Sequence, residues 1–163
     1  MSIRDISLIS ILSIILVVQE QLLNLLPNIQ LTVLFIVVFS RFLGFKKSLL
    51  LIIIYVLLDN LLYPGLPLVY WPFMVIGWCF IPFVFNRVYC GDNKLVLAFW
   101  SVACSLVYCW IFIIPSCLIM NMSFVDYLWY DIPFELAIGV SSFVSVLLLY
   151  EPCMRVLERI SKR

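Results

Sequence analysis

Apolar runs separated by short polar or Pro/Gly breaks dominate the chain. Six such runs cover residues 6–26, 31–43, 48–63, 71–85, 95–119 and 132–150. A helix crossing the hydrocarbon layer needs about 20 residues. The second, third and fourth runs fall short of that, which implies a thinned bilayer, a partly interfacial position or ends beyond these bounds. The runs are continuous rather than alternating, which argues against a transmembrane barrel. The pattern therefore predicts an all-α integral membrane protein, a compact bundle of about six transmembrane helices forming one membrane domain over residues 1–163. The first run follows a single Arg4 and resembles a secretory leader only superficially. It is too long and ends in Gln19-Glu20-Gln21, Asn24 and Pro27 without a small-residue cleavage site, so it reads as a retained first helix.

Composition agrees with that pattern. The chain is 66% hydrophobic and 12% charged, with mean hydropathy +1.20, whereas soluble domains are about half apolar and about a quarter charged. A soluble fold of this size has too little polar surface to clothe such a chain.

Charge gives the bundle a direction. Arg4 precedes the first run, and Arg41, Lys46 and Lys47 surround the second connection. Arg87 and Lys94 flank the fourth, and Arg155, Arg159, Lys162 and Arg163 follow the sixth. The first, third and fifth connections contain no Lys or Arg. The positive-inside rule then places both termini in the cytoplasm of a multi-pass plasma-membrane protein.

The opposite end is acidic, amide-rich and aromatic. Glu20, Asp59, Asp126, Asp131 and Glu135 fall there, with Gln19, Gln21, Asn24, Asn28, Asn60 and Asn121. So do Tyr63, Tyr70, Trp71, Tyr127, Trp129 and Tyr130. An interfacial aromatic belt with solvated loops accounts for many of these. Polar groups inside spans are costly, however, and face a cavity or a partner. Helical spacing ranks them. Tyr55, Asp59 and Tyr63 share one face at four-residue steps, Trp71, Met74 and Trp78 share another, and Glu20 stacks on Asn24. Asp131 is positioned to cap the sixth helix, with Pro133 in its first turn. Glu135 lies one turn deeper, where capping would not explain it. The candidate ligand-binding set is Glu20, Asn24, Tyr55, Asp59, Tyr63, Trp71, Met74, Trp78, Asp131 and Glu135. Small-residue stripes, Ser7–Ser10–Ser13, Ser101–Ser105 and Ala137–Ser141–Ser145, mark close helix contacts or a docking face.

Several chemistries are missing. There is no histidine, and the six cysteines form no CxxC pair, so no metal site, cofactor or His-dependent triad is expected. No phosphate-binding glycine loop is present. The basic tail suits topology and anionic lipid rather than nucleic acid. The expectation is a binding protein, not an enzyme.

Two stretches carry a family resemblance. One runs from Phe42-Leu43-Gly44-Phe45-Lys46-Lys47 through Leu58-Asp59-Asn60-Leu61 to Trp71-Pro72-Phe73-Met74-Val75-Ile76-Gly77-Trp78. The other is Asp131-Ile132-Pro133-Phe134-Glu135-Leu136, continuing to Tyr150-Glu151-Pro152 and Arg155-Val156-Leu157-Glu158-Arg159. Together they resemble the substrate-binding S components of energy-coupling factor (ECF) vitamin transporters, particularly the cobalamin-type and related uncharacterised ones. The resemblance implies a six-helix subunit that captures a vitamin-like micronutrient from outside and delivers it to a transmembrane coupling subunit and two ATPase subunits. The sequence departs from the family on the first helix, where a serine stripe stands in place of the common Ala-xxx-Ala patch. The alternative is an MreD-like membrane scaffold in cell-shape and cell-wall synthesis, which shares the length and a Leu-Asp at the end of a middle helix, here Leu58-Asp59.

Overall fold

The computed structural model describes residues 2–23, 31–62 and 67–161. These form six α-helices and, among the described residues, no strand: α1 Ile3–Leu23, α2 Thr32–Leu43, α3 Phe45–Leu62, α4 Tyr70–Phe83, α5 Lys94–Met120 and α6 Phe124–Ser161. A π-helical turn, Val84–Val88, extends α4. Among the described residues, four segments are long and apolar enough to cross a membrane: Ile3–Leu23, Tyr70–Val88, Lys94–Met120 and Phe124–Ile160. Their exposed surfaces carry large apolar side chains, such as Ile11, Phe99, Leu118 and Leu148. In water such surfaces would be a liability; facing lipid they are at home. The chain is an all-α membrane protein.

The shortest helix lies at the centre. α2 packs against α1, α3, α4, α5 and α6, and all of Thr32–Ser40 except Phe35 is buried. A helix that is apolar all round belongs inside a core, and here neighbouring helices cover it except along the side of Phe35 and Phe42, which is half-buried. This explains the short second run: its twelve residues span about 18 Å, less than the hydrocarbon thickness, and the surrounding helices shield them.

The fourth run is longer than the sequence pattern suggested. Pro82 interrupts α4, and the chain continues as a π turn, in which the Tyr89 amide donates to the Val84 carbonyl at 2.8 Å. The Asn86 side chain donates to the Pro82 carbonyl at 3.1 Å. Helix and side chain together satisfy backbone groups that would otherwise be stranded in an apolar layer.

The sixth helix requires a correction. The start expected near Asp131–Pro133 lies inside α6, which begins two turns earlier. Ser123 and Asp126 form the real start. Asp126 donates its amide to Ser123 Oγ at 3.2 Å, and Ser123 Oγ donates to Asp126 Oδ2 at 2.6 Å, a capping arrangement at the expected three-residue spacing. Pro133 is accommodated within the helix, as proline is in membrane helices. Asp131 is therefore not a cap.

The base-bearing ends of the helices are tied to one another. Lys47 pairs with Asp5 at 2.7 Å, joining the starts of α1 and α3. Arg87 lies over the Phe45 ring at 5.3 Å. Arg41, at the end of α2, donates through Nη2 to the carbonyls of Tyr89 and Gly91 at 2.9 and 2.7 Å. Arg41→Ala is expected to lower stability by about 1.5–3 kcal/mol, the range for hydrogen bonds to charged groups. Arg41→Lys should recover only part, because an ammonium does not reproduce the guanidinium fork. Thermal unfolding in detergent checks both variants.

Candidate functional site

The end opposite those bases holds two groups of carboxylates joined by a spine of rings. The first group bridges α1 and α3. Tyr55 donates its hydroxyl to Glu20 Oε2, and Gln21 Nε2 donates to Asp59 Oδ1 at 3.4 Å. Both acids thus face the seam between α1 and α3. The four-residue step from Tyr55 to Asp59 produces this geometry by directing both side chains from one face of α3 toward α1. Gln19 and Asn60 take no part in the group. Gln19 Nε2 donates to Thr32 Oγ1 at 2.6 Å while its carbonyl accepts from the Leu31 amide, tying α1 to α2. Asn60 Nδ2 donates to the Val56 carbonyl at 2.8 Å and contacts Met74 Sδ at 3.4 Å.

The spine starts at Tyr55. Its ring meets Trp78 edge-on at 6.4 Å, and Trp78 stacks on Tyr108 at 3.9 Å. Tyr108 packs against Phe112 at 4.8 Å, and Phe112 stacks on Tyr70 at 5.6 Å. The Tyr70 hydroxyl is 3.3 Å from Ser116 Oγ, and Tyr127 lies beside both Ser116 and Tyr70. The rings thus run across α3, α4 and α5 to the start of α6. Offset and edge-on contacts of this kind are favourable beyond their buried area.

Gly77 permits the closest contact in the spine. A Cβ there would lie 2.6 Å from Tyr108 Cδ2, so Tyr108 can lie flat on Trp78 only if position 77 has no side chain. Gly77→Val is expected to cost about 1–3 kcal/mol through overpacking and to change the Trp78 emission spectrum. Gly139→Ala, inside α6, is the contrasting case: its Cβ would meet only Val102 Cγ1 at 3.6 Å, so it should hold or raise the melting temperature.

The second group lies on α6. Tyr127, Asp131 and Glu135 follow at four-residue steps, with Cys109 of α5 near both acids. The Glu135 carboxylate has Trp110 beside it, but its Oε1 has no hydrogen-bond partner among the described residues, and the same holds for Trp71 Nε1, Trp78 Nε1, Arg41 Nε and Ser142 Oγ. Unpaired buried polar atoms are rare in folded proteins and point to a ligand, ion or water.

Of the sequence candidates, Glu20, Tyr55 and Asp59 come together. Met74 and Trp78 are buried behind them, and Trp71 lies one turn before Met74 on α4. Asp131 and Glu135 form the separate group on α6. Asn24 and Tyr63 lie outside the described residues. Tyr70 belongs to the aromatic end that the sequence marks out, whereas Tyr108, Phe112 and Ser116 carry no signal there, because they stand among apolar residues with no periodic polar pattern. The serine stripes divide. Ser13 Oγ donates to the Leu51 carbonyl of α3 at 3.3 Å, whereas Ser7 is exposed. Ser101 and Ser105 are buried and bond within α5.

A groove of 560 Å³ between α1, α2 and α6 lies at the basic end. Apart from Arg4 and the Cys153 thiol its lining is apolar, so it offers little chemistry for orienting a polar ligand. No group of three or more Cys, Asp or Glu side chains among the described residues is arranged to hold a metal ion. No family model, curated protein or solved structure matches the chain.

Proposed function

We propose that the chain is the micronutrient-capture subunit of an ECF-type importer, with six spans, both termini in the cytoplasm and its polar end open to the outside. The observation that supports this reading best is the ring spine from Tyr55 to Tyr70, flanked by Glu20 and Asp59 at one end and Asp131 and Glu135 at the other. Small-molecule sites are mostly apolar and aromatic with a few convergent polar groups, and this cluster has that composition. The carboxylates and the Gln21 amide would set the ligand's orientation, while the buried spine rings hold α3, α4 and α5 in place behind them. The acids have no Lys or Arg in the outer connections to neutralise them, so the ligand class is a neutral or cationic micronutrient. Transfer to the cytoplasm would need a transmembrane coupling subunit and two ATPases, since this chain has no nucleotide-binding loop.

Gentle solubilisation of the tagged chain from its native membrane tests the assembly. The expected result is co-purification of a complex containing ATPase subunits. Recovery of cell-wall synthesis proteins without an ATPase would instead favour an MreD-like scaffold.

A further inference from the structure

A separate hollow lies at the turn between α5 and α6. Its volume is 390 Å³, and it is lined by Met120, Met122, Tyr127, Tyr130, Asp131 and Phe134. The backbone explains why these residues meet. Asn121 adopts the left-handed conformation, φ 53°, and turns the chain sharply between Met120 and Met122. Ser123 and Asp126 then start α6 at once. Tyr127, Tyr130, Asp131 and Phe134 follow at the i, i+3, i+4, i+7 positions of one helix face. Three rings, two thioethers and one carboxylate therefore border the same space.

We propose that this hollow binds an organic ammonium group. Aromatic faces carry negative potential and attract cations, and ring-lined boxes are a recurrent solution for quaternary ammonium ligands. Asp131 supplies the counter-charge. No described donor pairs with it, because Asp126 rather than Asp131 takes part in the cap. No Lys or Arg occurs between Lys94 and Arg155, so this hairpin contains no cation of its own. The Met120 and Met122 thioethers are soft and polarizable, suited to the methyl or methylene groups of such a ligand. Asp131 and Tyr127 also border the ring spine, so the proposal shares them with the transport reading; Glu20, Tyr55 and Asp59 do not line the hollow, and choline binding that survives in Asp59→Ala separates the two. The ammonium has two possible sources, a free amine or the headgroup of an aminophospholipid.

The test uses the full chain in nanodiscs of phosphatidylglycerol, which carries no amine. Choline, titrated by calorimetry, is expected to bind saturably, and Asp131→Asn to weaken it at least about tenfold. In a second arm, discs mixing phosphatidylglycerol and phosphatidylethanolamine are analysed by native mass spectrometry. Retention of phosphatidylethanolamine over phosphatidylglycerol, lost in Asp131→Asn, identifies the headgroup as the source even if choline does not bind. Tyr130→Leu, at an exposed ring, provides a second variant should Asp131→Asn lose helical content. Absence of both choline binding and phosphatidylethanolamine retention overturns the proposal, as does equal binding by a folded Asp131→Asn or Tyr130→Leu variant.

Discussion

Trp78→Ala is expected to be the most damaging single substitution in the bundle, lowering stability by about 3 kcal/mol, the lower end of the range for truncating a buried aromatic. Trp78 is 1% exposed and is held between Tyr55 at 6.4 Å and Tyr108 at 3.9 Å. In a membrane, lipid is as apolar as the side chain, so the loss is of packing rather than of burial from water. This is why the lower end of the range applies. For a chain of this size the melting temperature should fall by roughly 6–12 °C. Trp78→Phe keeps a ring at the position and should recover part of that loss. A Trp78→Ala protein that melts with the wild type would show that the stacked rings do not hold α3, α4 and α5 together.

The second large effect concerns capture rather than stability. Glu20→Ala and Asp59→Ala are each expected to lower ligand affinity by about 10- to 150-fold, the equivalent of about 1.5–3 kcal/mol for a hydrogen bond to a charged group. Glu20→Ala also leaves the buried Tyr55 hydroxyl without its acceptor, so it should cost stability as well. Asp59 has one long bond to Gln21 and is half-buried, so Asp59→Ala should keep its fold and report on binding alone. Glu135→Ala is expected to weaken capture too, because a bound ligand would supply the partner that its buried Oε1 lacks. The readout is the amount of small molecule retained by each purified variant. Retention equal to wild type in a folded Asp59→Ala protein would remove that carboxylate from the site.

How far the sequence anticipated this structure varies from element to element. The run at 95–119 corresponds closely to α5, and the described part of the run at 6–26 lies within α1, because long, mostly apolar stretches leave few alternatives. The start of α6 departs from the sequence expectation because Asp131 and Pro133 imitate a helix entry, while the true entry at Ser123–Asp126 sits among aromatics that read as loop. The end of α4 departs from it because Asn86 and Arg87 look like a connection but lie within the π turn. In the candidate site, four-residue spacing correctly put Tyr55 and Asp59 on one face. It could not show that Glu20 meets them, which depends on how α1 packs on α3. Nor could it find Tyr108, whose role depends on a missing side chain at Gly77 in another helix.

The most direct test of the capture reading is mass spectrometry of small molecules released from the full chain after gentle solubilisation and purification. The account predicts a single neutral or cationic micronutrient in near-stoichiometric amount, strongly depleted from the Asp59→Ala protein. A purified, folded chain that neither carries nor takes up such a molecule from a micronutrient mixture would contradict it.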